Sequence, residues 1–183
     1  EPRITAHWSI TPNLVLNAAV NPDFSQVEAD AAQLDVNTQF ALFYPEKRPF
    51  FLEGADIFAT RFNAIYSRNI ADPDWGVKLT GKEGGNAVGA FVVQDERTNL
   101  IVPGVESSST TTLDMETTAA VLRYRRDVGA SSAIGVLATS RQGEDYFNRV
   151  AGIDAYFYLL DSERIDVQVL GSQTDYPDST SED

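Results

Sequence analysis

The stretch WGVKLTGKEGGNAVGAFVVQD, residues 75–95, decides the fold class. In residues 75–82, Val77 and Leu79 alternate with polar side chains, and this period of two is typical of a β-strand. The four residues Glu83-Gly84-Gly85-Asn86 tolerate the positive φ angles of a tight turn. A second strand is then predicted over residues 86–95, with an apolar run at its centre. The stretch therefore predicts an antiparallel β-hairpin.

The same alternation continues on both sides of this hairpin. It predicts further strands over residues 3–10, 14–20, 117–127, 133–141, 148–160 and 165–174, with a short candidate over 64–70. Residues 96–116, rich in Ser and Thr, are predicted to form a long polar loop. Residues 45–54 contain two prolines, a glycine and dense charge, which favour neither a strand nor a helix. We therefore predict an all-β fold: an antiparallel up-and-down β-barrel, or a segment of one, with long polar loops.

Composition limits the classes of function. The chain has 183 residues, with 14 basic and 27 acidic side chains and a net charge of −13, which repels nucleic acid. It has no cysteine, which excludes disulfides and Cys-based zinc sites, and its one histidine leaves little for a Ser-His-Asp triad. We expect no transmembrane helix, because no apolar run reaches about 18 residues, and we see no signal-peptide pattern. The first residue is not Met, so we expect a mature product or a segment of a longer protein.

The alternation is compatible with two kinds of barrel. A soluble barrel turns its apolar face inward, whereas a membrane barrel turns it toward lipid and lines its lumen with polar residues. Strands of about 10 residues exceed the usual 5–6 of soluble sheets, and short turns alternate with long loops, so we favour the membrane barrel. We then expect an apolar face toward lipid (Leu122, Ile134, Phe157, Val167) and a charged face toward the lumen (Arg123, Asp154, Asp166). Aromatic girdles are predicted at Trp8, Trp75, Tyr124, Tyr156 and Tyr158.

Two irregular segments carry a resemblance to a known family. Residues 21–30, NPDFSQVEAD, and 43–58, FYPEKRPFFLEGADIF, resemble motifs of the DUF5916 family, as do YSR at 66–68 and VKLTGK at 77–82. The resemblance extends from about Ile4 to Gln173. It implies a bacterial cell-envelope protein whose C-terminal β-barrel region often follows a family 9 carbohydrate-binding module. We treat residues 1–183 as a single barrel region, a partial barrel, in which residues 21–62 are a lumen plug or a loop at the barrel mouth.

The candidate site residues lie in those two segments. Three acidic residues have the oxygen ligands that calcium prefers, although a solvated acidic loop explains them more simply. Glu46 and Glu53 resemble the carboxylate pair of a glycosidase, but neighbouring cations such as Arg48 offer ion-pair partners. Phe50 and Phe51, with Phe58 and Phe62, form either an aromatic platform for a ligand or the packing of a plug. The predicted binding residues are Asp23, Glu28, Asp30, Glu46, Arg48, Phe50, Phe51 and Glu53.

Our prediction of function is an outer-membrane scaffold or conduit associated with carbohydrate. The alternatives are a glycoside-acting hydrolase that uses carboxylates of residues 21–54 and a soluble ligand-binding β-barrel. We predict no catalytic residue, no metal or cofactor apart from a possible calcium ion, and a structural role for His7. The expected partners are the lipid bilayer, glycan or other envelope material, and a partner protein or the remainder of the same chain, but no nucleic acid.

Overall fold

The computed structural model describes residues 3–22, 46–65, 67–70, 72–103, 108–113, 115–160 and 163–176. Eight strands form one antiparallel sheet in the order β1-β2-β3-β4-β7-β8-β9-β10, and β5 and β6 form a separate two-stranded sheet. The strands are β1 Ile4–Thr11, β2 Leu14–Val20, β3 Pro73–Glu83, β4 Asn86–Asp95, β5 Thr98–Pro103, β6 Ser108–Leu113, β7 Thr117–Val128, β8 Ser132–Gln142, β9 Phe147–Leu160 and β10 Glu163–Asp175.

The hairpin at the centre of the sheet forms as predicted. Glu83 pairs with Asn86, and Gly84 and Gly85 between them have φ angles of 56° and 77°. Positive φ at both central residues suits the right-handed twist of the strands on either side. The eight strands of the large sheet lie at the predicted places, and β2 and β4 have the predicted bounds.

The large sheet is a meander that does not close into a barrel. Its outermost strands, β1 and β10, each pair with one neighbour only among the described residues. The prediction of an all-β antiparallel sheet is therefore confirmed at the level of one open eight-stranded sheet.

Three local predictions were wrong. Residues 96–116 are not one polar loop, because β5 and β6 pair from Thr98 opposite Leu113 to Pro103 opposite Ser108. Within residues 45–54, a short helix α1 (Pro49–Leu52) forms, and α2 (Ala55–Phe58) follows it. A proline fits the first turn of a helix, where its missing N–H is not needed. In place of a strand over residues 64–70, Ser67–Asn69 form a single 3-10 turn.

The two faces of the large sheet differ in composition and in burial. The face that carries Leu122 is apolar and exposed, and we call it the open face. The opposite face carries Arg123 and Lys78, and residues 46–65 and 67–70 lie against it. We call it the covered face, and these residues the covering segment. Within the described ranges, no helix is both long and apolar enough to span a membrane.

Candidate functional site: the covered face and its covering segment

Aromatic side chains of the covering segment pack directly on the sheet. Phe51 and Phe58 are buried and make edge-on contacts with Phe91 of β4, with ring centroids 5.7 and 5.5 Å apart. Phe50 meets Phe51 edge-on at 5.0 Å. Two glycines of the sheet make room for these rings: a Cβ on Gly89 would lie 2.7 Å from the Phe58 ring, and one on Gly76 would lie 3.0 Å from the Phe50 ring. Phe50, Phe51 and Phe58 therefore pack against the sheet, whereas their role as the plug of a barrel lumen stays a prediction.

A buried ion pair fixes the start of the covering segment to its end. The guanidinium of Arg48, 3% exposed, donates to both carboxylate oxygens of Glu46 at 2.8 and 2.7 Å. It also donates to the carbonyls of Ile70 and Ser67, each at 2.7 Å, and stacks 4.4 Å from the Phe51 ring. The Ser67 hydroxyl donates to Glu46 at 2.5 Å. We call Glu46, Arg48 and Ser67 the clamp.

The clamp keeps Glu46 ionised. Burial by itself raises the pKa of this carboxyl, but the hydrogen bonds and charge of Arg48, with the Ser67 hydroxyl, outweigh burial and lower the pKa from 4.5 to about 2. A general acid in a glycosidase needs a raised pKa instead. Glu46 therefore has the electrostatics of a structural carboxylate.

Other charged groups of the covered face bind the covering segment from below. Lys78, only 1% exposed, donates to the backbone carbonyls of Phe50 and Glu53. Arg141 donates to the Asn69 carbonyl at 2.5 Å and to the Asp95 carboxylate at 3.2 Å. Lys78 therefore caps carbonyl groups at the end of α1, and Arg141 caps one at the end of the 3-10 turn.

Arg123 on β7 and Asp154 on β9 form a second buried ion pair, which reaches across the intervening strand β8. Two guanidinium nitrogens of Arg123 donate to the two carboxylate oxygens of Asp154, one of them at 2.8 Å. Arg123 is 1% exposed, and a Cβ on Gly135 would lie 2.6 Å from its guanidinium. Arg123, Asp154 and Asp166 share one face, as predicted, but Asp166 pairs with Arg164 and not with Arg123.

At the edge of the covering segment, Glu53 meets two residues of the first hairpin. The Asn17 amide donates to the Glu53 carboxylate at 2.9 Å, and His7 Nδ1 lies 2.7 Å from the Asn17 carbonyl oxygen. The distance from His7 Nδ1 to the other Glu53 oxygen is 3.7 Å. These three side chains border a cavity of about 480 Å³.

Comparison with known proteins identifies the first half of the chain. Residues 4–88 match the family described as Domain of unknown function (DUF5916). The chain carries a DUF5916 domain. No curated protein and no solved structure matches the chain. The DUF5916 domain contains the clamp, Glu53, Lys78 and the first hairpin, but it ends within β4, so the pair of Arg123 and Asp154 lies beyond the matched residues.

The predicted site residues have different outcomes. Asp23, Glu28 and Asp30 lie outside the described residues, so the calcium prediction is not addressed there. Within the described residues, no group of three or more potential ligand side chains could hold a metal ion. Glu46 and Arg48 form one ion pair, whereas Glu53 binds Asn17, so the two carboxylates have separate partners. Phe51 is buried, Phe50 is half-buried, and the exposed Phe62 binds the Gln168 side chain through its backbone.

Sequence reasoning missed the residues that join the sheet to the covering segment. Lys78 was recognised only as one polar residue of an alternating strand, and Asn17, Asp95 and Arg141 were not singled out. The mid-strand charge of Lys78 is a signal that indicates this residue, because such a charge needs a partner when it is buried. Asn17 is uncharged, and Asp95 and Arg141 lie at or near strand ends, so the signal does not extend to them.

Proposed function

We propose that this chain is part of a bacterial outer-membrane β-barrel, where it acts as a scaffold or conduit associated with carbohydrate. The observation that carries the proposal is the inverted burial of the sheet, because its apolar face is exposed and its charged face is covered. Leu122, Ile153 and Val167 are 51%, 59% and 49% exposed on the open face. Lys78 and Arg123 are each 1% exposed on the covered face. In a membrane barrel the outer face meets lipid and the inner face is polar.

The open face is too apolar to suit contact with water. Its exposed residues come from every strand of the large sheet, and a contiguous patch above a few hundred Å² marks an interaction surface. They include Ile4, Trp8, Ile10, Val20, Trp75, Val77, Val92, Leu122, Tyr124, Ile134, Val136, Ile153, Phe157, Leu159, Ile165, Val167 and Val169. Lipid is the occupant that the proposal assigns to this face.

The apolar band has a height that suits a bilayer. On β7 it is bounded by Thr118, which bonds to Gln94 on β4, and by Arg126, which bonds to Asn86. These bounds are 126 − 118 = 8 residues apart, or about 27 Å at about 3.4 Å per residue. Strands tilted by about 40° reduce this to about 21 Å, close to the apolar band of about 25 Å in outer-membrane barrels.

Two aromatic side chains lie at opposite ends of this band. Trp75 pairs with Gln94 at one polar boundary, and the Tyr124 hydroxyl donates to Asn86 at the other. Rings with one polar atom suit the headgroup layer. Trp8 is on the same face but pairs with Leu16 within the band. Tyr156 and Tyr158 are on the same face as Asp154 instead, where Arg164 stacks on both rings, so they support no lipid-facing girdle.

The covering segment favours a scaffold, or a conduit that this segment narrows. Lys78 and Arg141 hold it to the covered face, and the clamp ties its start to its end. The proposed association with carbohydrate is supported by the resemblance to DUF5916 proteins, in which the barrel region follows a carbohydrate-binding module.

Tryptophan fluorescence tests the location, because both tryptophans of the chain lie on the open face. The refolded chain is added to vesicles of dioleoylphosphatidylcholine with or without lipids brominated along their acyl chains. We expect brominated lipid to quench both tryptophans in single-tryptophan variants (W8F and W75F), and aqueous acrylamide to quench them weakly. Acrylamide quenching as strong as that of free tryptophan, with no effect of bromine, would show that the open face meets water and overturn the proposal.

A further inference from the structure

The outer edge of β10 is long and regular. β10 has 13 residues and pairs with β9 without interruption from Arg164 to Asp175. Among the described residues, no strand lies on its other side, which we call the free edge. In an antiparallel ladder, the backbone groups of alternate residues point to opposite edges. About half of the N–H and C=O groups of β10 therefore point away from β9 and are placed to pair with a further strand.

β10 lacks the features that protect the edges of native sheets. Such edge strands are commonly short, or they carry prolines, lysines or β-bulges. The sequence of β10, ERIDVQVLGSQTD, has no proline and no lysine, and its register shifts only between its first two residues. At the opposite edge, β1 has 8 residues and an irregularity between Ser9 and Thr11. The free edge of β10 is therefore the better suited of the two edges to bind a strand.

β1 of the same chain does not fit the free edge while the covering segment lies on the sheet. Eight strands closed on themselves make a barrel whose interior is just wide enough for side chains. The covered face carries α1, α2 and the 3-10 turn as well. A barrel that encloses them needs additional strands. Their number is even, because β1 and β10 are the first and last of eight antiparallel neighbours and run in opposite directions.

A second copy of the chain also fits the free edge poorly. Its β1 has 8 residues against the 13 of β10, so part of the edge would stay unpaired. Two antiparallel copies of β10 would match in length but would point in opposite directions. The hairpins β1–β2, β3–β4, β7–β8 and β9–β10 all turn at the same end of the sheet, so the two copies would place these turns on opposite sides of the membrane. Outer-membrane barrels instead keep their short turns on one side.

We propose that the free edge of β10 binds an antiparallel, amphipathic β-strand of about 13 residues from outside residues 1–183. On the open face, β10 exposes Ile165, Val167 and Val169, so the added strand has apolar side chains on that face. On the covered face, β10 carries Asp166 and Gln168, so the added strand has polar side chains there. The inference rests on the proposed membrane location for the apolar side of this strand, whereas the backbone pairing does not depend on lipid.

A synthetic peptide tests whether the free edge accepts a strand. The peptide has the sequence of residues 147–160 with blocked ends, because β10 already pairs with this sequence at its other edge. Amide hydrogen exchange of the refolded full chain in dodecylphosphocholine micelles identifies the β10 amides that β9 does not bind, because they exchange fast. We expect the peptide, at up to about 1 mM, to slow these amides at least about tenfold. Replacement of β9 by the peptide would leave them fast, so unchanged fast exchange overturns the proposal.

Two N-methylated peptides separate backbone pairing from the adhesion of an apolar peptide. An added strand has β10 on the side where β9 has β8, so it should use the amides that β9 donates to β8. Methylation of that alternate set should weaken binding at least about tenfold, because it removes the donors of one edge. Methylation of the other set, which β9 donates to β10, should leave binding unchanged. Equal binding of the two peptides, or the reverse order, overturns the proposal.

The chain without peptide shows whether the free edge is already occupied. We expect fast-exchanging β10 amides and the sedimentation of a single chain. Slow exchange at every β10 amide would overturn the proposal, and a sedimented mass of two chains would then identify a second copy as the occupant. Bromine quenching of the tryptophans reports on the open face whether or not a strand binds β10. A membrane location therefore survives if the peptide does not bind, and the reverse also holds.

Discussion

The clamp shows how three residues tie the two ends of the covering segment together. Glu46 precedes α1 and Ser67 begins the 3-10 turn, and Arg48 bonds to both. A buried pair of this kind adds little net stability over apolar residues, but removing one partner leaves an uncompensated charge. The clamp therefore ties the two ends of the covering segment together only while Glu46 is ionised.

The depressed pKa of Glu46 predicts an acid-sensitive contact. A folded-state pKa of about 2 lies below the unfolded value near 4.5, so the carboxylate stabilises the fold above pH 4.5 and this contribution is lost as pH falls toward 2. Glu46→Gln should lower the free energy of unfolding by about 2–3 kcal/mol at pH 7. The difference from wild type should disappear near pH 2 in urea titrations at several pH values. Exposed Glu83→Gln serves as the control, and a pH-independent difference would contradict the prediction.

Because two arginine–aspartate pairs differ in burial, we expect them to contribute unequally to the free energy of unfolding. Arg123→Met should cost about 3–5 kcal/mol, because it leaves Asp154 without its guanidinium on the covered face. Arg164→Met removes a pair whose side chains are 43% and 27% exposed, and should lower the free energy of unfolding much less, because solvent screens an exposed pair. Urea unfolding in dodecylphosphocholine micelles compares the two variants, and similar losses would show that burial does not set the strength of the Arg123 pair.

At the scale of elements, α1 and α2 are too short to be stable alone and depend on the sheet below them. Isolated helices shorter than about 12–15 residues are marginal in water. Gly54, with a φ angle of 66°, reverses the chain between them, and Gly76 and Gly89 leave space for Phe50 and Phe58. Docking of these rings therefore forms the helices and covers the sheet in one step.

Filling one of these spaces should displace α2. Gly89→Ala places a methyl group against the Phe58 ring and the Ile57 side chain, and should destabilise the fold by about 1–3 kcal/mol. Gly171→Ala in β10 meets nothing within 4 Å and serves as the control. Amide exchange should accelerate at Ala55–Phe58 in the first variant only. Restored protection in the double variant Gly89→Ala/Phe58→Leu would locate the clash, and unchanged exchange in Gly89→Ala would contradict it.

Elements set by local patterns could be predicted, and elements set by distant contacts could not. The central hairpin follows from Gly84, Gly85 and the alternation around them, which are all local. The pairing of β5 with β6 has no such apolar alternation, and α1 has only the proline at its start. Of the candidate site, the Phe50 and Phe51 packing was foreseeable from two adjacent large apolar side chains. The contacts of Lys78 with the Phe50 and Glu53 carbonyls join residues more than 20 positions apart, so the mid-strand charge indicates that Lys78 needs a partner but does not indicate which one.

At the scale of the whole molecule, the sheet separates two environments. Its covered face pairs nearly every described buried charge with a partner. Its open face carries mainly apolar side chains between two polar boundaries, with Ser140 and Arg149 as polar exceptions on β8 and β9. The cavity beside Glu53 opens on the covered side, away from the face assigned to lipid. In the proposed orientation, the covering segment lies on one side of the sheet and lipid on the other.

The depth of a charge in the apolar band gives the sharpest test of this orientation. Leu122 lies midway between Thr118 and Arg126, and the proposal puts it at the bilayer midplane, where an arginine costs about 2–4 kcal/mol. Thr118→Arg at the boundary should cost at most about 1 kcal/mol. Both costs are read from urea titrations of the chain folded in dilauroylphosphatidylcholine vesicles, with Ser172→Arg on the exposed part of β10 as a control on the opposite face. If lipid covers the open face, Leu122→Arg is much the worst of the three. If water covers it, an exposed leucine replaced by arginine changes the free energy of unfolding little, and the three variants behave alike.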